Sequence, residues 1–490
     1  MLQSRLYMPT RRETSQQAGR RGETLLLRAG IIRPMGSGTR AYLPLGQKIL
    51  LKIQNAIRKA FQSANLLEVH LPQRTVNFEK AEEKSQINGF SELMANLVKG
   101  ELNSYRDLPK SFFRFVEKSI DDERIGRARQ SLAVEIVAFC RNDDEALTLR
   151  SDLQSVYEEV FVGFGLENVR RSDNDGALAF VYPSERGLIF IAMCPECGLC
   201  ADREIFPLFQ ESETPNIDEP LEKIHTPNLR TVEDVAHTIG CSVSDLIKTI
   251  LLRAGERVVA VLLRGDYDIS VRKLSVILGK PVELASAETI EELTKAPVGF
   301  AGPVGLSGVE ILGDYSVRTV GAAVTGANEA DYHFRGVVLD RDYRVDRWVD
   351  VRAAKAGDIC GKCGDGGLSV EKAIQLTGSE MPSTTLSESI GLQYTDEDGT
   401  IQPIVYQAES LDITSLFDAM VESGTGEKGL LWPPSVAPFD VHVLNLAPQD
   451  HEVNNAACSV VSSLEQDGWE VLHDERDVRP GVKFKDAELT

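Results

Sequence analysis

The chain has 490 residues, more than a single hydrophobic core normally supports, so several domains are expected. Apolar residues make up 42% and charged residues 26%, a composition typical of a soluble globular protein that excludes a disordered or fibrous chain. The 74 acidic residues outnumber the 53 basic ones, and the net charge of −21 argues against a general nucleic-acid coat, although a local basic path is compatible with it.

The sequence contains no evident targeting or membrane-spanning segment. Residues 1–21 are rich in arginine, as in a transit peptide, but Glu13 interrupts them and no apolar signal core follows. Apolar runs such as residues 187–193 are far too short to cross a bilayer. We therefore expect a cytoplasmic protein with no membrane partner.

The N-terminal part combines helical patterns with short extended ones. Ile49, Ile53 and Ile57 recur at the spacing of one helix face, which predicts a long amphipathic helix. The predicted elements are a short helix ending near Gly30, a hairpin at 34–42, the long helix from Pro44, a strand at 66–73, and a mainly helical stretch at 74–165 with a strand near the end of 104–118.

A proline-rich, acidic segment at 205–228 divides the chain. Its four prolines are typical of a linker, so we place a domain boundary there. The segment 178–194 before it indicates a hairpin, and residues 229–355 after it have the pattern of a compact mixed domain. The elements predicted in that domain are helices at 231–240, 270–279 and 286–295, and strands at 247–254 and 257–265.

The C-terminal part begins with an ordinary helical pattern. Residues 405–422, "VYQAESLDITSLFDAMVE", have apolar residues at helical spacing, and Ser410 or Asp412 could cap the helix. The elements that follow are a strand within 432–446, a helix at 453–466 and a strand at 469–475, the order of a βαβ unit.

Two CxxC pairs are the strongest indication of a metal site. Cys194 and Cys197 form one pair and Cys360 and Cys363 the other, a pattern typical of structural zinc. A zinc ribbon usually closes within about 15–20 residues, whereas here a long segment separates the pairs. Either a whole domain is inserted in the ribbon, which we favour, or the pairs are unrelated thiols in tight turns. Cys200 is a spare ligand or, more in keeping with its type, a small core residue.

Several segments together carry a family resemblance along nearly all of the chain. They are "LYMPTRRE" (6–13), "RAGIIRPMGSGTRAYLPLG" (28–46), "GELNSYRDLPKSF" (100–112), "CPECG" (194–198), the region 229–355, "GLLWPPSVAPFDV" (429–441) and "RPGVKFKDAEL" (479–489). With these segments the chain resembles bacterial prolyl-tRNA synthetase, a class II aminoacyl-tRNA synthetase.

The resemblance implies an α/β (α+β) multidomain fold. It implies a class II catalytic-like domain with an antiparallel sheet, an inserted mixed α/β editing domain and a C-terminal α/β anticodon-binding domain. Family members continue past residue 490, so the last domain is expected to be shortened. The long helix resembles the family's dimer helix, and the implied partners are a second copy and tRNA, specifically the acceptor end of tRNA(Pro). The expected boundaries are 1–205 and 356–432 for the catalytic-like domain, 206–355 for the editing domain and 433–490 for the anticodon-binding domain.

Two ATP-binding motifs of the resembled family are altered here. In that family one arginine clamps each end of the triphosphate, because a planar, permanently charged fork neutralises phosphate at fixed geometry. Ile120 stands at the motif 2 arginine and Ser415 at the motif 3 arginine. Gln407, Ser410 and Asp412 replace the glycines that let the backbone approach the nucleotide.

Two segments that would hold the amino acid are also unmatched. The family's proline-pocket run falls on residues 377–383, which contain neither histidine nor phenylalanine, and its amino-group strand has no match around 88–93. Losing one charge-stabilising donor costs about 2.7–4 kcal/mol in comparable sites. We therefore expect ATP-dependent activation of proline to be lost, with ATP and Mg²⁺ needed only if that activity survives.

The inserted region keeps the residues that the resemblance assigns to editing. The chemistry is modest, because an aminoacyl ester is already activated: a glycine loop can supply backbone amides to an oxyanion, a lysine can bind phosphate or ribose, and a small pocket admits alanine but excludes proline. The matching positions are Lys248, the Gly299–Gly302–Pro303 loop, Asp314 and His333.

Each of these residues also has an ordinary structural interpretation. Lys248 is compatible with a solvated lysine at a strand end, Asp314 with a turn former, and His333 with a packed or surface histidine. Three functions therefore stay open. The first is an aminoacyl-tRNA deacylase acting on a small-residue ester such as alanyl-tRNA(Pro), the second a proline–tRNA ligase with an atypical ATP site, and the third a non-catalytic dimerising partner of a true synthetase.

Overall fold

The computed structural model describes residues 1–11, 21–36, 39–71, 88–122, 127–174, 176–209, 215, 217 and 219–489, with the backbone alone at 88, 119–122 and 127–129. These residues form two compact units. The first comprises 1–171, 176–189 and 372–490, and the second comprises 172–175 and 190–371.

The helices and strands of the described residues are as follows. The helices are α1 (Arg21–Ala29), α2 (Pro44–Ser63), α3 (Asn88–Val98), α4 (Asp143–Gly163), α5 (Val232–Ile239), α6 (Val271–Leu278), α7 (Ala287–Thr294), α8 (Thr385–Ile390), α9 (Ile413–Ser423), α10 (His451–Gln466) and α11 (Pro480–Leu489). The strands are β1 (Ile32–Gly36), β2 (Thr39–Tyr42), β3 (Leu67–Glu68), β4 (Lys110–Asp122), β5 (Arg127–Cys140), β6 (Arg170–Asn174), β7 (Ala177–Pro183), β8 (Ile189–Met193), β9 (Cys200–Asp202), β10 (Glu222–His225), β11 (Ile247–Ala254), β12 (Arg257–Arg264), β13 (Val282–Leu284), β14 (Glu310–Asp314), β15 (Ala323–Gly326), β16 (Tyr332–Val337), β17 (Arg347–Val349), β18 (Ser369–Gln375), β19 (Thr377–Ser379), β20 (Gln393–Thr395), β21 (Ile401–Pro403), β22 (Val405–Asp412), β23 (Val441–Leu444) and β24 (Val471–Asp474).

The first unit is built on a five-stranded sheet in the order β19-β22-β5-β4-β3. Its pairs are antiparallel except β3–β4, which is parallel. Because side chains alternate along a strand, the sheet presents two different faces. Ile136 and Leu411 pack with α2 and α4, and this side is called the α4 face. Val137 and Phe139 pack with α3, and this side is called the α3 face.

Helix α2 follows the sequence prediction closely. It begins at Pro44, where the missing N–H of proline costs no helical hydrogen bond, and it follows the predicted hairpin β1–β2. Ile49, Ile53, Ile57 and Phe61 are fully buried along one stripe. Burying one such side chain contributes about 1.5–3 kcal/mol, so this stripe fixes the helix against the α4 face.

The C-terminal residues form the predicted βαβ unit. Strands β23 and β24 pair in parallel, with Val441 opposite Val471, and α10 connects them. Asp450 caps α10 by accepting hydrogen bonds from the backbone N–H groups of Glu452 and Val453.

The second unit contains two further sheets. A five-stranded mixed sheet has the order β13-β11-β12-β14-β17, and a three-stranded antiparallel sheet has the order β10-β16-β15. The strands predicted at 247–254 and 257–265 correspond to β11 and β12, and the three predicted helices correspond to α5, α6 and α7.

Two predictions in the first unit are wrong. Residues 405–412 form strand β22 rather than the first half of a helix, because β5 and β19 pair with this segment on both sides. Helix α9 begins at Ile413, and Asp412 is its N-cap. The stretch 74–165 is not mainly helical, since β4 and β5 form a long antiparallel pair within it.

Two smaller predictions also differ from the structure. The strand expected at 66–73 is reduced to Leu67–Glu68, and Pro72 lies outside the described residues. The expected hairpin at 178–194 is wrong, because β7 pairs with the distant strand β18, with Ile374 opposite Tyr182. Part of the predicted linker at 205–228 also lies outside the described residues.

Candidate functional site

The glycine loop of the second unit lies directly against the three-stranded sheet. Gly302 approaches Gly326 of β15 so closely that a Cβ at position 302 would lie 1.7 Å from the Gly326 carbonyl oxygen. Gly326 in turn is opposite His333 of β16. The structure therefore brings Gly302, the buried Pro303 and His333 together at one end of this sheet.

Asn328 fixes the loop in this position. Its side-chain Oδ1 accepts a hydrogen bond from the Gly302 N–H at 2.8 Å, and its Nδ2 donates to the carbonyl oxygens of Gly302 at 3.0 Å and Val304 at 2.9 Å. Its own backbone N–H donates to the Phe300 carbonyl at 3.0 Å. Asn328 has a φ of +54°, a left-handed conformation that asparagine tolerates. Sequence reasoning missed this residue, although an asparagine in "TGAN" is a recognisable turn signal.

The loop leaves two backbone N–H groups for a ligand. Among the described residues, the N–H groups of Gly299 and Ala301 donate to no protein acceptor, whereas that of Gly302 is taken by Asn328. Gly299 has a φ of +104°, which favours glycine, and a Cβ there would lie 3.0 Å from the Arg230 side chain. The loop can therefore present neighbouring amides to an anionic oxygen.

His333 is a neutral, largely buried histidine. It is 5% exposed, and its Nδ1 lies 2.6 Å from the Thr226 hydroxyl oxygen. The Phe300 ring packs against it, with 5.6 Å between ring centroids. Burial lowers the pKa of His333 from 6.5 to about 4, because desolvation penalises the charged imidazolium. At neutral pH the His333 ring is therefore uncharged, and it can donate or accept a hydrogen bond.

Lys248 is linked to the loop through the sheet rather than by a direct contact. It lies in β11 and is half-buried, and its Nζ donates to the Tyr267 carbonyl oxygen at 2.6 Å. The neighbouring Ile247 carbonyl accepts a hydrogen bond from the Thr325 hydroxyl at 3.0 Å, which ties β11 to β15. The ammonium group is thus held at the end of a strand adjoining the loop.

Asp314 lies apart from the loop, in a buried ionic network. Its carboxylate is 1% exposed and accepts hydrogen bonds from the backbone N–H groups of Ser316 at 2.9 Å and Val351 at 3.0 Å. The Arg352 guanidinium lies 3.8 Å from it and also binds Asp358 at 2.6 Å. Both carboxylate oxygens of Asp314 therefore accept backbone hydrogen bonds within this network.

The same network reaches Lys248 through Tyr267. The Arg352 guanidinium lies 4.0 Å from the centre of the Tyr267 ring, and the Tyr267 hydroxyl donates to Asp358 at 2.9 Å. Since the Tyr267 carbonyl accepts from Lys248, the network fixes the backbone that positions this lysine.

The two cysteine pairs come together in the second unit. The sulfur atoms of Cys194, Cys197, Cys360 and Cys363 all lie within 4.8 Å of one another. The Sγ–Sγ distance is 3.6 Å between Cys194 and Cys363 and 3.8 Å between Cys197 and Cys360. The structure therefore brings the two pairs together into one group of four sulfurs. Cys200 is buried in β9, outside this group.

The cysteine group has the geometry and chemistry of a tetrahedral thiolate site. A Zn–S distance of about 2.3 Å separates the sulfurs of a tetrahedron by about 3.8 Å, close to the two distances above. Gly198 and Gly364 have positive φ values and donate their N–H groups to the Cys194 and Cys360 carbonyls, which closes both knuckles. Hydrogen bonding from the Cys197 backbone lowers the pKa of Cys194 to about 7, whereas burial raises the pKa of Cys360.

The α3 face of the first unit's sheet carries an internally neutralised charge cluster. Glu135 is 2% exposed and binds both Arg114 and Lys118 of β4, each at 2.6 Å. The Arg114 guanidinium also lies 4.7 Å from the centre of the Phe90 ring of α3. These two cations are thus already paired, and α3 covers this face with buried apolar side chains.

The substituted motif 3 segment is part of the folded core. Glu409 and Leu411 are buried in β22, and the N–H of Ser415 donates to the Asp412 carboxylate at 2.8 Å in the first turn of α9. Residue 415, where the resembled family has an arginine, is 3% exposed.

The other two substituted segments take ordinary structural roles, and motif 2 is only partly described. Thr377 lies in β19 and accepts a hydrogen bond from the Phe180 N–H at 2.8 Å, and residues 88–93 belong to helix α3. Ile120 is opposite Arg129 in the β4–β5 pair, but both side chains lie outside the described part of the chain.

Comparison with known proteins gives two matching family models and full-length relatives. Residues 226–343 match the aminoacyl-tRNA editing domain and residues 440–490 the anticodon binding domain. The chain is 32% identical to the proline–tRNA ligase of Sulfurihydrogenibium sp. (strain YO3AOP1), over 100% of this chain and 92% of that protein. It is also 32% identical to that of Caldicellulosiruptor saccharolyticus, over 99% of this chain and 90% of that protein.

The solved structures give a similar but more distant match. The Cryptosporidium parvum prolyl-tRNA synthetase, complexed with L-proline and AMP, is 12% identical with a TM-score of 0.49, and the match covers 97% of this chain and 67% of that one. Among the described residues, no helix combines the length and apolar character needed to cross a membrane.

Proposed function

The chain belongs to the proline–tRNA ligase family, and from this premise we propose that its activity in translation is hydrolysis of mischarged aminoacyl-tRNA of the alanyl-tRNA(Pro) type. The reaction is assigned to the editing region, residues 226–343. The observation that supports it best is the glycine loop, which Asn328 holds against the sheet while two amides stay available.

In the proposed reaction, water adds to the ester carbonyl carbon and the bond from that carbon to the ribose oxygen breaks. The ribose oxygen takes a proton, and the products are a free amino acid and tRNA. The N–H groups of Gly299 and Ala301 stabilise the oxyanion, because preorganised donors act most strongly where charge develops. No metal is required for this step.

The remaining predicted residues shape the site around that loop. His333, neutral and packed against Phe300, forms one wall of a pocket that fits alanine and hydrogen-bonds the ester. Lys248 binds the terminal phosphate or ribose as a point charge. Asp314 acts indirectly, since its contact with Arg352 supports the network that holds Tyr267 and, through it, Lys248.

Amino-acid activation is proposed to be absent. The sequence lacks both ATP-binding arginines, with Ile120 and Ser415 in their places. In addition, Glu135 pairs both Arg114 and Lys118 on the described part of the α3 face. These two cations are therefore engaged and are not offered to a triphosphate. ATP and Mg²⁺ would be needed only if ligase activity were retained.

The cysteine group is proposed to hold a structural zinc ion. Zinc bound by Cys194, Cys197, Cys360 and Cys363 would cross-link the two ends of the second unit's chain and add folding free energy. This fits an insertion of the editing domain at about 206–355 into a catalytic-like domain at 1–205 and 356–432, with the anticodon-binding part at 433–490.

The proposed partners are the acceptor end of tRNA(Pro), its small amino-acid ester and a second copy of the chain bound through α2. The family's work on tRNA supports a location in the cytoplasm.

Deacylation of alanyl-tRNA(Pro) tests the proposal directly. We expect the protein to hydrolyse alanyl-tRNA(Pro) but not prolyl-tRNA(Pro), and Lys248→Ala to slow hydrolysis at least tenfold. Lys280→Ala is the matched control, since Lys280 is an exposed lysine of the same unit. Hydrolysis no faster than the uncatalysed rate, in a preparation with native circular dichroism, would refute the deacylase.

A second candidate is an active proline–tRNA ligase, because the relatives of this chain are proline–tRNA ligases. Proline-dependent ATP–pyrophosphate exchange separates the two activities. We expect no exchange above background, and a proline-dependent signal would establish the ligase instead. If both assays are silent, size-exclusion chromatography with the true synthetase tests the non-catalytic partner.

A further inference from the structure

A small cavity lies on the α4 face of the first unit's sheet. Its volume is about 60 Å³, and strands β4, β5 and β22 form one wall while α4 forms the other. Most of the lining is aliphatic, including Ile136, Leu149 and Leu153. Such a lining with a few polar groups is the usual composition of a small-molecule pocket.

Three side chains that line the cavity each have one polar atom with no hydrogen-bond partner within the described residues. These atoms are Oε1 of Glu409, Oε1 of Gln407 and Nε of Arg150. Glu409 and Gln407 are each 3% exposed and Arg150 is 5% exposed, so bulk water does not satisfy these atoms. Native proteins satisfy most buried polar atoms, and three orphans around one cavity indicate a bound partner.

The other polar atoms of these side chains are held in place. Gln407 Nε2 donates to the Glu380 carbonyl at 2.8 Å. Both terminal nitrogens of Arg150 donate to the Gly176 carbonyl at 2.8 Å. The Tyr157 hydroxyl donates to Oε2 of Glu409 at 3.3 Å. Each of the three side chains is thus held by a hydrogen bond, as expected of a preorganised site.

The charges around the cavity are incompletely paired. Within the described residues, the Arg150 guanidinium has no carboxylate within 4.0 Å, although it is buried. Burial raises the pKa of Glu409 to about 8, partly opposed by the charge of Arg150. A buried cation without an anion is costly, and a ligand carboxylate would supply the missing charge.

We propose that this cavity binds a small α-amino acid, of the size of glycine or alanine, as a zwitterion. Its carboxylate accepts a hydrogen bond from Arg150 Nε, and its ammonium group donates to Oε1 of Gln407 and Oε1 of Glu409. A cavity of this size holds about four to six non-hydrogen atoms at about 10–15 Å³ each. The aliphatic wall accommodates the methyl side chain of alanine. This binding site takes no part in the proposed deacylation.

Isothermal titration with alanine, glycine, propionate and ethylamine tests this site. Ligands of this size bind with Kd values on the order of 1 mM, so titration to about 20 mM is sufficient. We expect alanine and glycine to bind. Propionate lacks the amino group and ethylamine lacks the carboxylate, so both should bind at least tenfold more weakly. Equal binding of propionate and alanine, or no saturable binding by natively folded protein, would overturn the proposal.

Three variants locate the binding. Glu409→Gln removes the carboxylate at nearly constant shape, and Ala64→Leu fills the cavity from its half-buried rim. Both should weaken alanine binding at least tenfold, and both should leave hydrolysis of alanyl-tRNA(Pro) unchanged. Ala456→Leu, on the exposed surface of α10, is the control and should bind alanine as the wild type does. Binding unaffected by Glu409→Gln and Ala64→Leu would place the ligand elsewhere and refute this site.

Discussion

Removing the side chain of Asn328 tests whether the glycine loop is the catalytic element of the proposed deacylase. The substitution Asn328→Gly deletes all three side-chain hydrogen bonds to Gly302 and Val304. Glycine adopts a positive φ at little steric cost, so this variant isolates the lost hydrogen bonds. Asn328→Ala deletes the same bonds and adds the cost of a left-handed backbone.

The expected magnitude follows from the hydrogen bonds. Each neutral hydrogen bond contributes about 1 kcal/mol net, so three contribute roughly 3 kcal/mol. Water can reach part of this loop, since Gly299 is exposed, which reduces the estimate to about 2 kcal/mol. If that free energy holds the loop in its competent conformation, Asn328→Gly lowers kcat/KM for alanyl-tRNA(Pro) by about 10–30-fold. Asn328→Ala should lose about 5–30-fold more, because the left-handed backbone costs an alanine about 1–2 kcal/mol.

Single-turnover deacylation and amide hydrogen exchange measure the two parts of this effect. The rate reports the chemistry, and exchange at the Gly302 amide reports whether the loop has opened. Asn228→Gly is a matched control, because Asn228 also has a positive φ of +61° but lies exposed in the same unit. A rate within twofold of wild type for Asn328→Gly, together with faster exchange at Gly302, would show that loop order does not limit the reaction.

Three further measurements test individual groups. The pKa of His333 is lowered from 6.5 to about 4, and between these values the unfolded chain binds a proton that the folded chain does not. The free energy of unfolding should therefore fall as the pH decreases from 6.5 to 4. Urea titrations at pH 7.5 and 5 should show a smaller fall for His333→Gln than for the wild type. Metal analysis should find about one zinc per chain, and Cys360→Ser should lose it. Cys458→Ser is the control and should keep the zinc, because Cys458 is exposed and lies outside the group of four. Zinc retained in both variants contradicts the site. Asp314→Ala removes an acceptor from Arg352 and from two backbone N–H groups. Urea unfolding should show the second unit destabilised by about 3–5 kcal/mol. A loss of stability below about 1 kcal/mol would show that Asp314 does not anchor the network.

Local sequence patterns were sufficient where the residues of a segment match a single element type. Helix α2 begins at the predicted Pro44, and β11 occupies the predicted range Ile247–Ala254. In both cases the periodicity of apolar residues, together with a capping or turn residue, matches a single element type. The family resemblance added the domain types, and the identity to full-length relatives confirms the family.

Tertiary neighbours decided the segments where the sequence prediction was wrong. In "VYQAESLDITSLFDAMVE" the apolar residues at clear helical spacing lie in the second half, whereas the first part, Val405–Asp412, is a strand because β5 and β19 supply hydrogen bonds on both sides. The strand buries Gln407 and Glu409 as well as apolar residues, so its pattern of polar and apolar residues does not identify it as a strand. The same holds for β7, whose partner β18 lies far away in the chain.

The sequence by itself indicated the family, which the full-length relatives confirm, and contained the two CxxC pairs, because each depends on residue identity in a recognisable order. Only the tertiary structure brought the two cysteine pairs within 4.8 Å, since chain separation says nothing about distance in space. It also identified Asn328 as the residue that holds the loop and showed that the Asp314 carboxylate is enclosed by backbone N–H groups and Arg352. These assignments depend on the direction of each side chain, which tertiary packing fixes and a linear motif does not contain.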